Sequence, residues 1–386
     1  MAVQAPNASF HHTALGIKGD DLAKTKLAQP LVGIRQTSFE DGNEINTETD
    51  EGHTGVSNID MGSYRTSAES GPNWEDGLRF AQGYEDYIYL LLGQDTVTPY
   101  NDGTSDIDGI YVHNFSQSAI SNEELPFATI FHGFSKTATD GRIFNNAMLN
   151  EFEMSFSADD KPTVSPTFVA DYNIVNTINP TRNFLDNHLA RTVMAQHTKV
   201  YIGPVGATAQ EMVSIDCFTE ASWTVNNNAE SQACHDDNFG ENTKMMGARE
   251  VTGSITMPWH DATKYFETEY ETYQKYGHIV SELITNKQVW YGTSGGNILI
   301  EDNQGEMVES GVPYQSMFKF PLVEVTNVTS TKSGNEAKDL TFEWKAIEQP
   351  NQSYMLAEMV TDLAACHIDD TGADREDYYP QVAPFV

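Results

Sequence analysis

The chain carries the same series of sequence landmarks twice. Leu125–Phe131 and Val312–Phe318 share the order aliphatic, proline, aromatic, any residue, hydroxyl, aliphatic or methionine, and phenylalanine, at a displacement of 187 residues. Two further pairs have displacements of 184 and 190 residues: the ends of two helix-like stretches at Gly93 and Gly277, and the strand-like Phe152–Met154 and Phe342–Trp344. Solenoid repeats have periods of about 20–50 residues, so this spacing predicts a duplicated domain instead.

The length and composition suit two folded domains. The chain has 386 residues, of which 39% are hydrophobic, and no apolar run approaches the length of a membrane span. Residues 1–29 lack the basic and apolar segments of a secretory signal. We expect an N-terminal arm at 1–30, one module at 31–188, a second at 189–361 and a C-terminal tail at 362–386.

The charge is strongly acidic. There are 56 acidic and 22 basic residues, which gives a net charge of -34. Such a surface repels nucleic-acid phosphates, so the charge argues against a DNA-binding role. Two compatible interpretations are adaptation to a salty environment and a surface that must not adhere to a polyanion.

Each predicted module has strands, a long polar loop, one helix and further strands. In the first module, Glu40–Gly55 is interpreted as an acidic loop or exposed hairpin, and a helix is predicted from an N-cap at Asn73 to a stop at Gly93. In the second, Asn226–Lys244 is the polar loop and Ala262–Tyr276 the helix. Elsewhere in both modules, apolar and polar residues alternate as they do in strands. This pattern predicts a mainly β (α+β) fold of two tandem β-sandwich or barrel-like modules, each with a flanking helix.

No catalytic, cofactor or metal constellation is expected. Cys234–Asp237 gathers metal-capable side chains, but adjacent residues cannot all face one ion. Asp106 and Asp108 resemble part of a calcium loop that lacks its later acid, so a turn is favoured and weak calcium binding stays open. Gly292–Gly296 has no lysine or following helix and is interpreted as a hairpin tip. An enzyme therefore has no positive support.

Four stretches carry a resemblance to a known family. They are the helix ending Leu90–Gly93, the segment Leu125–Ile130, the run Phe144–Phe156 that leads into a central strand, and the closing Leu340–Ala346. In order and hydrophobic pattern, over roughly 30–360, the chain resembles the tail tube protein (major tail protein) of long-tailed bacteriophages and related archaeal viruses.

The resemblance implies β-sandwich-like modules, six to a ring, stacked into a hollow tube through which viral DNA is ejected into the host. Two modules per chain then imply homotrimeric, pseudo-hexameric rings, with a homo-hexamer as the alternative. A long loop would reach the next ring, and its candidate acids are Glu44, Glu48, Asp50, Glu51, Glu230, Asp236, Asp237 and Glu241.

The implied partners are the chain itself, a tape measure protein, and tail terminator or tip proteins. The DNA would pass without specific binding, no membrane would be involved, and the protein would belong to the virion after assembly in the host cytoplasm. Two alternative functions are a tube-fold baseplate or tail-tip protein and an extracellular β-sandwich protein that binds glycans.

Overall fold

The computed structural model describes residues 12–18, 31–34, 38–49, 63–78, 84–117, 125–133, 141–158, 160–171, 175–176, 182–183, 198–204, 213–215, 217–232, 243–258, 287–295, 312, 314–331, 339–347 and 353–361. The mainly β fold predicted from the sequence is confirmed: these residues are mostly in strands, with one helix among them. That helix is too short to cross a membrane.

The elements fall into two consecutive series, called here the first and second halves. The first half comprises β1 (His12–Lys18), β2 (Leu31–Ile34), β3 (Ser38–Glu40), β4 (Glu44–Thr49), β5 (Ser63–Ser70), β6 (Asn73–Gly77), α1 (Tyr84–Leu92), β7 (Gly93–Asn101), β8 (Asp106–Gln117), β9 (Phe127–Gly133), β10 (Gly141–Ser157), β11 (Thr163–Asp171), β12 (Val175–Asn176) and β13 (Arg182–Asn183). The second half comprises β14 (Thr198–Pro204), β15 (Val213–Ile215), β16 (Glu220–Asn226), β17 (Glu230–Gln232), β18 (Thr243–Met245), β19 (Glu250–Pro258), β20 (Lys287–Gly295), β21 (Tyr314–Thr331), β22 (Asp339–Ala346) and β23 (Leu356–Thr361).

The same antiparallel strand order occurs in both halves. In the first half it runs β2–β1–β9–β10–β11–β6–β3. In the second half it runs β15–β14–β20–β21–β22–β19–β16. The hairpin β4–β5 lies in sequence between β3 and β6, as the hairpin β17–β18 lies between β16 and β19.

The longest strand of each half changes partners along its length. β10 pairs first with β9 and then with β11, and a bulge lies between Leu149 and Glu151. β21 pairs first with β20 and then with β22, and a bulge lies between Val325 and Asn327. A bulge bends a strand and increases its twist, which lets one strand serve two parts of a sheet.

Among the described residues, backbone pairing joins the halves at two places, and the first of these is called here the seam. The second part of β10 pairs antiparallel with β16, from Glu151 opposite Asn226 to Ser157 opposite Glu220. The result is one continuous antiparallel sheet in the order β3–β6–β11–β10–β16–β19–β22–β21. A second contact between the halves is the pairing of β23 with β8.

The two halves also share a hydrophobic core, and α1 is buried in this core. Nearly all residues of α1 are buried, including its first-turn acids, which favour a helix N-terminus. Tyr87 packs on Phe152, and Tyr84 packs edge-on against Phe318 of the second half. Trp223 lies between Phe152 and Phe318, which links the aromatic side chains of both halves.

The predicted helix start at Asn73 is wrong. Residues 73–77 form β6, and α1 begins at Tyr84. Trp74 and Asp76 are buried while Glu75 between them is exposed, which is the period of a strand. β6 has a strand partner on each side, and this pairing overrides the local resemblance to a helix cap. The predicted stop at Gly93 is confirmed, with a φ of 88°. The predicted second helix lies outside the described residues.

The sequence landmarks do not coincide with the structural counterparts. Leu125–Phe131 leads into β9, whereas Val312–Phe318 leads into β21, which holds the position of β10. Similarly, Phe152–Met154 belongs to β10 and Phe342–Trp344 to β22, the counterpart of β11. The order of strand partners therefore repeats with a different alignment from the one that the residue patterns suggest.

Candidate assembly surface

Both hairpins begin from the same backbone arrangement. Gly42 and Asn228 have left-handed φ angles of 56° and 47°. The amide N–H of Gly71 donates to Gly42 O at 3.0 Å, and that of Gly247 donates to Asn228 O at 3.0 Å. Glycine and asparagine are the residues that adopt this conformation most readily. Each polar loop predicted from the sequence is thus a hairpin over its described residues.

The predicted acids lie on these two hairpins. Glu44 and Glu48 are exposed on β4, opposite Glu69 and Tyr64 of β5, and Glu230 is exposed on β17, opposite Met245. The other five candidates, Asp50, Glu51, Asp236, Asp237 and Glu241, lie outside the described residues. Contact of these acids with a neighbouring ring stays a prediction.

A buried ion pair fixes the second hairpin to the first half. Lys244 Nζ of β18 donates to Asp171 Oδ1 at the end of β11, at 2.8 Å, and the two side chains are 1% and 7% exposed. Asn146 Nδ2 donates to the other carboxylate oxygen of Asp171, also at 2.8 Å. Asp171 itself stands opposite Glu69 of the first hairpin. The two hairpins therefore emerge side by side at one end of the sheet.

Amide side chains hold the seam between β10 and β16. Asn226 Nδ2 donates to Glu151 Oε2 at 2.8 Å, and Asn227 Nδ2 donates to Leu149 O at 2.9 Å. The N–H of Ala229 donates to Asn150 Oδ1 at 2.7 Å. These residues were not predicted from the sequence. The run Asn226–Asn228, which begins at the last residue of a strand, was the available signal, because asparagine favours turns.

Arg249 ties the base of the second hairpin to α1. Its Nη2 donates to Leu91 O at 2.9 Å, near the helix C-terminus where cations are favoured, and its Nε donates to Asn227 Oδ1 at 2.7 Å. Burial lowers the pKa of this guanidinium to about 10. The helix of the first half thus receives a cap from the second.

The sheet ends in two edges that belong to different halves. Among the described residues, β3 pairs only with β6, and positions 324–331 of β21 pair only with β22. An exposed edge offers backbone N–H and C=O groups to another strand. One edge comes from the first half and the other from the second.

The predicted turn at Asp106 and Asp108 is wrong, because both residues lie in β8 and the turn precedes them at 102–105. Asn101 Nδ2 donates to Asp106 Oδ1 at 2.8 Å, and Asp108 is exposed. Backbone N–H groups of Ser105 and Thr104 donate to Asp102, and they lower the pKa of that carboxyl. Within the described ranges, no three His, Cys, Asp or Glu side chains are grouped as a metal site requires. Cys234–Asp237 lies outside those ranges.

The family model for phage tail tube protein matches residues 77–346, which is most of the chain. None of the curated proteins compared with the chain matches it.

Proposed function

This chain belongs to the phage tail tube protein family, and we propose that its copies polymerise into stacked rings that form the hollow tube of a viral tail. It is a structural component of the virion. The finer proposal is that three chains form each ring, that rings stack, and that viral DNA leaves through the channel.

The observation that carries the proposal is the seam between β10 and β16. In this seam an edge of the first half pairs with an edge of the second half. Because the strand order repeats, β21 is the counterpart of β10, and β3 is the counterpart of β16. A second chain can therefore continue the sheet by the same kind of contact, head to tail.

Head-to-tail contacts close into a ring when a whole number of the rotations between neighbouring units makes up a full turn. If the contact between chains repeats the contact between halves, three chains give six similar positions. Closure would cover the edges of β3 and β21 in every chain of the ring and so remove these sites of uncontrolled pairing. A homo-hexamer remains the alternative arrangement, in which twelve halves would have to close.

We further propose that the two hairpins of each chain reach the next ring. Their exposed acids, their shared backbone geometry and their emergence at one end support this role. Within the arm at 1–30, β1 pairs with β2 and β9 of its own chain. The rest of this arm and the tail at 362–386 would brace neighbouring chains, with modules at 31–188 and 189–361 as ring units.

A net charge of -34 supports a channel that repels DNA and lets it pass without specific binding, provided that acids line it. The proposed partners are a tape measure protein inside the tube and terminator or tip proteins at its ends. Assembly would take place in the host cytoplasm.

Electron microscopy of the purified chain tests the proposal. We expect rings or tubes, and a ring mass of three times the 42.9 kDa chain. A chain that stays monomeric at all concentrations and binds a glycan would overturn it. Single rings that cap preformed tubes without extending them would favour a baseplate or tip role.

A further inference from the structure

We propose that β21 pairs antiparallel with β3 of a second copy, in a register that sets Asn327 opposite Glu40 of that copy. This inference rests on the proposed ring and specifies the residues that form its contact between chains. The partner is another copy of this chain, because the seam inside the chain already shows how one such edge receives the other.

β10 and β21 hold corresponding positions in the two halves. Each strand changes partners at a bulge, and each bulge skips one residue. On the β10 side the skipped residue is Asn150, and Glu151 follows it. On the β21 side the skipped residue is Thr326, and Asn327 follows it. Asn327 therefore holds the position of Glu151.

β3 and β16 also hold corresponding positions in the two halves. Glu40 and Asn226 are the last residues of their strands, and each stands four residues before its hairpin, which starts at Glu44 and Glu230. Each also lies two residues before the left-handed residue at the hairpin base. Glu40 therefore holds the position of Asn226.

At these corresponding positions the asparagine and the glutamate of one hydrogen-bonded pair have exchanged places. Inside the chain, Glu151 on β10 stands opposite Asn226 on β16, and their side chains are 2.8 Å apart. Between chains, the amide would come from Asn327 on β21 and the carboxylate from Glu40 on β3. The same Asn–Glu hydrogen bond forms with the donor and acceptor strands reversed. Glu40 is exposed, and Asn327 Nδ2 lies 3.4 Å from Glu343 Oε2 in its own chain.

The next residue pair in this register is also complementary. Inside the chain, the buried Phe152 stands opposite the buried Val225. The register between chains sets Val328 opposite Phe39. Val328 lies beside the buried Phe342, and Phe39 lies beside the buried Trp74. Both contacts thus pair two apolar residues, and a shift by one residue would set Val328 opposite Ser38 or Glu40 instead.

Cysteine cross-linking tests the register directly. In a chain with Cys217→Ser, Cys234→Ser and Cys366→Ser, one preparation carries Asn327→Cys and another carries Glu40→Cys. Mixed, assembled and mildly oxidised, they should give disulfide-linked dimers, because residues directly opposite in a sheet lie within disulfide range. The matched control combines Asn327→Cys with Ser38→Cys, a diagonal pair at roughly 7–8 Å, which should give little product. Tubes without the first product, or with equal products, would overturn the register.

A residue exchange tests the hydrogen bond. Asn327→Glu sets two carboxylates opposite each other and should raise the critical concentration for assembly roughly tenfold. Adding Glu40→Asn rebuilds the pair found inside the chain and should restore the normal value. Thr252→Glu adds the same charge to an exposed position of β19, away from the sheet edges, and should have little effect.

The outcomes separate this inference from the proposed function. Tubes that form equally well with and without Asn327→Glu would overturn the contact and leave the tube function standing. A native chain that forms neither rings nor tubes would overturn both.

Discussion

Lys244 of the second hairpin forms a buried ion pair with Asp171 of the first half, with Nζ and Oδ1 2.8 Å apart. The contact lies beside the first hairpin, since Asp171 is also opposite Glu69. Three contacts thus join the two halves near the hairpin bases: the seam between β10 and β16, the cap that Arg249 forms on α1, and this ion pair. The relative position of the two hairpins is therefore fixed within one chain, before any ring forms.

Removing Lys244 should strongly destabilise the fold. In Lys244→Ala, Asp171 keeps the hydrogen bond from Asn146 but loses its buried cation, and the free energy of unfolding should fall by about 3–5 kcal/mol. Urea denaturation followed by tryptophan fluorescence measures the change. The control is Lys345→Ala, which removes the exposed ion pair with Glu250 and should cost at most about 1 kcal/mol. Equal losses in the two variants would contradict the role of the buried pair.

Gly42→Ala should disrupt the first hairpin. A Cβ at this position would lie 2.4 Å from Gly71 O, and φ is +56°. The backbone conformation costs about 1–2 kcal/mol for alanine, and overpacking adds about 1–3 kcal/mol. Gly109→Ala is the matched control, because its φ is +79° and nothing lies within 4 Å of the added Cβ. Thermal unfolding should show the larger loss for Gly42→Ala, and a loss no greater than that of Gly109→Ala would show that the contact is not tight.

Alkaline pH should destabilise the protein through its buried tyrosines. Burial raises the pKa of Tyr84 and of Tyr87 well above the usual value. Above about pH 10 the unfolded chain loses these phenolic protons first, so it binds fewer protons than the folded chain and stability falls as pH rises. Each tyrosine should contribute a slope of about 1.4 kcal/mol per pH unit.

Tyr84→Phe isolates one of these contributions. The variant should show a shallower loss between pH 10 and 12 in urea titrations, because one titrating group is gone. The stability of each protein at pH 8 serves as its reference, since neither the tyrosine nor the phenylalanine side chain is charged at that pH. An unchanged slope above pH 10 would contradict the assignment to Tyr84.

Local patterns predicted several strands correctly. Alternation at Phe152, Met154 and Phe156 marks the part of β10 that packs on the core, and all three side chains are buried. The polar run after Glu40 predicted either an acidic loop or an exposed hairpin, and the hairpin is the alternative that the structure has. These elements were predictable because each depends on its own residues and on one buried face.

Partner choice could not be predicted from the sequence. The stretch from Trp74 resembles a helix start, but the strands on both sides of β6 decide its conformation. Similarly, Leu125–Phe131 and Val312–Phe318 match as residue patterns because strands share such patterns, yet β9 and β21 have different neighbours. Lys244 and Asp171 are 73 residues apart in sequence and meet only in the folded chain.

The most direct test of the account is a reconstruction of the assembled tube by electron cryomicroscopy. We predict rings of three chains in which the sheet runs without interruption from β21 of one chain into β3 of the next, with Asn327 beside Glu40. Six chains in each ring, or tubes in which the edges of β3 and β21 do not meet, would contradict the account.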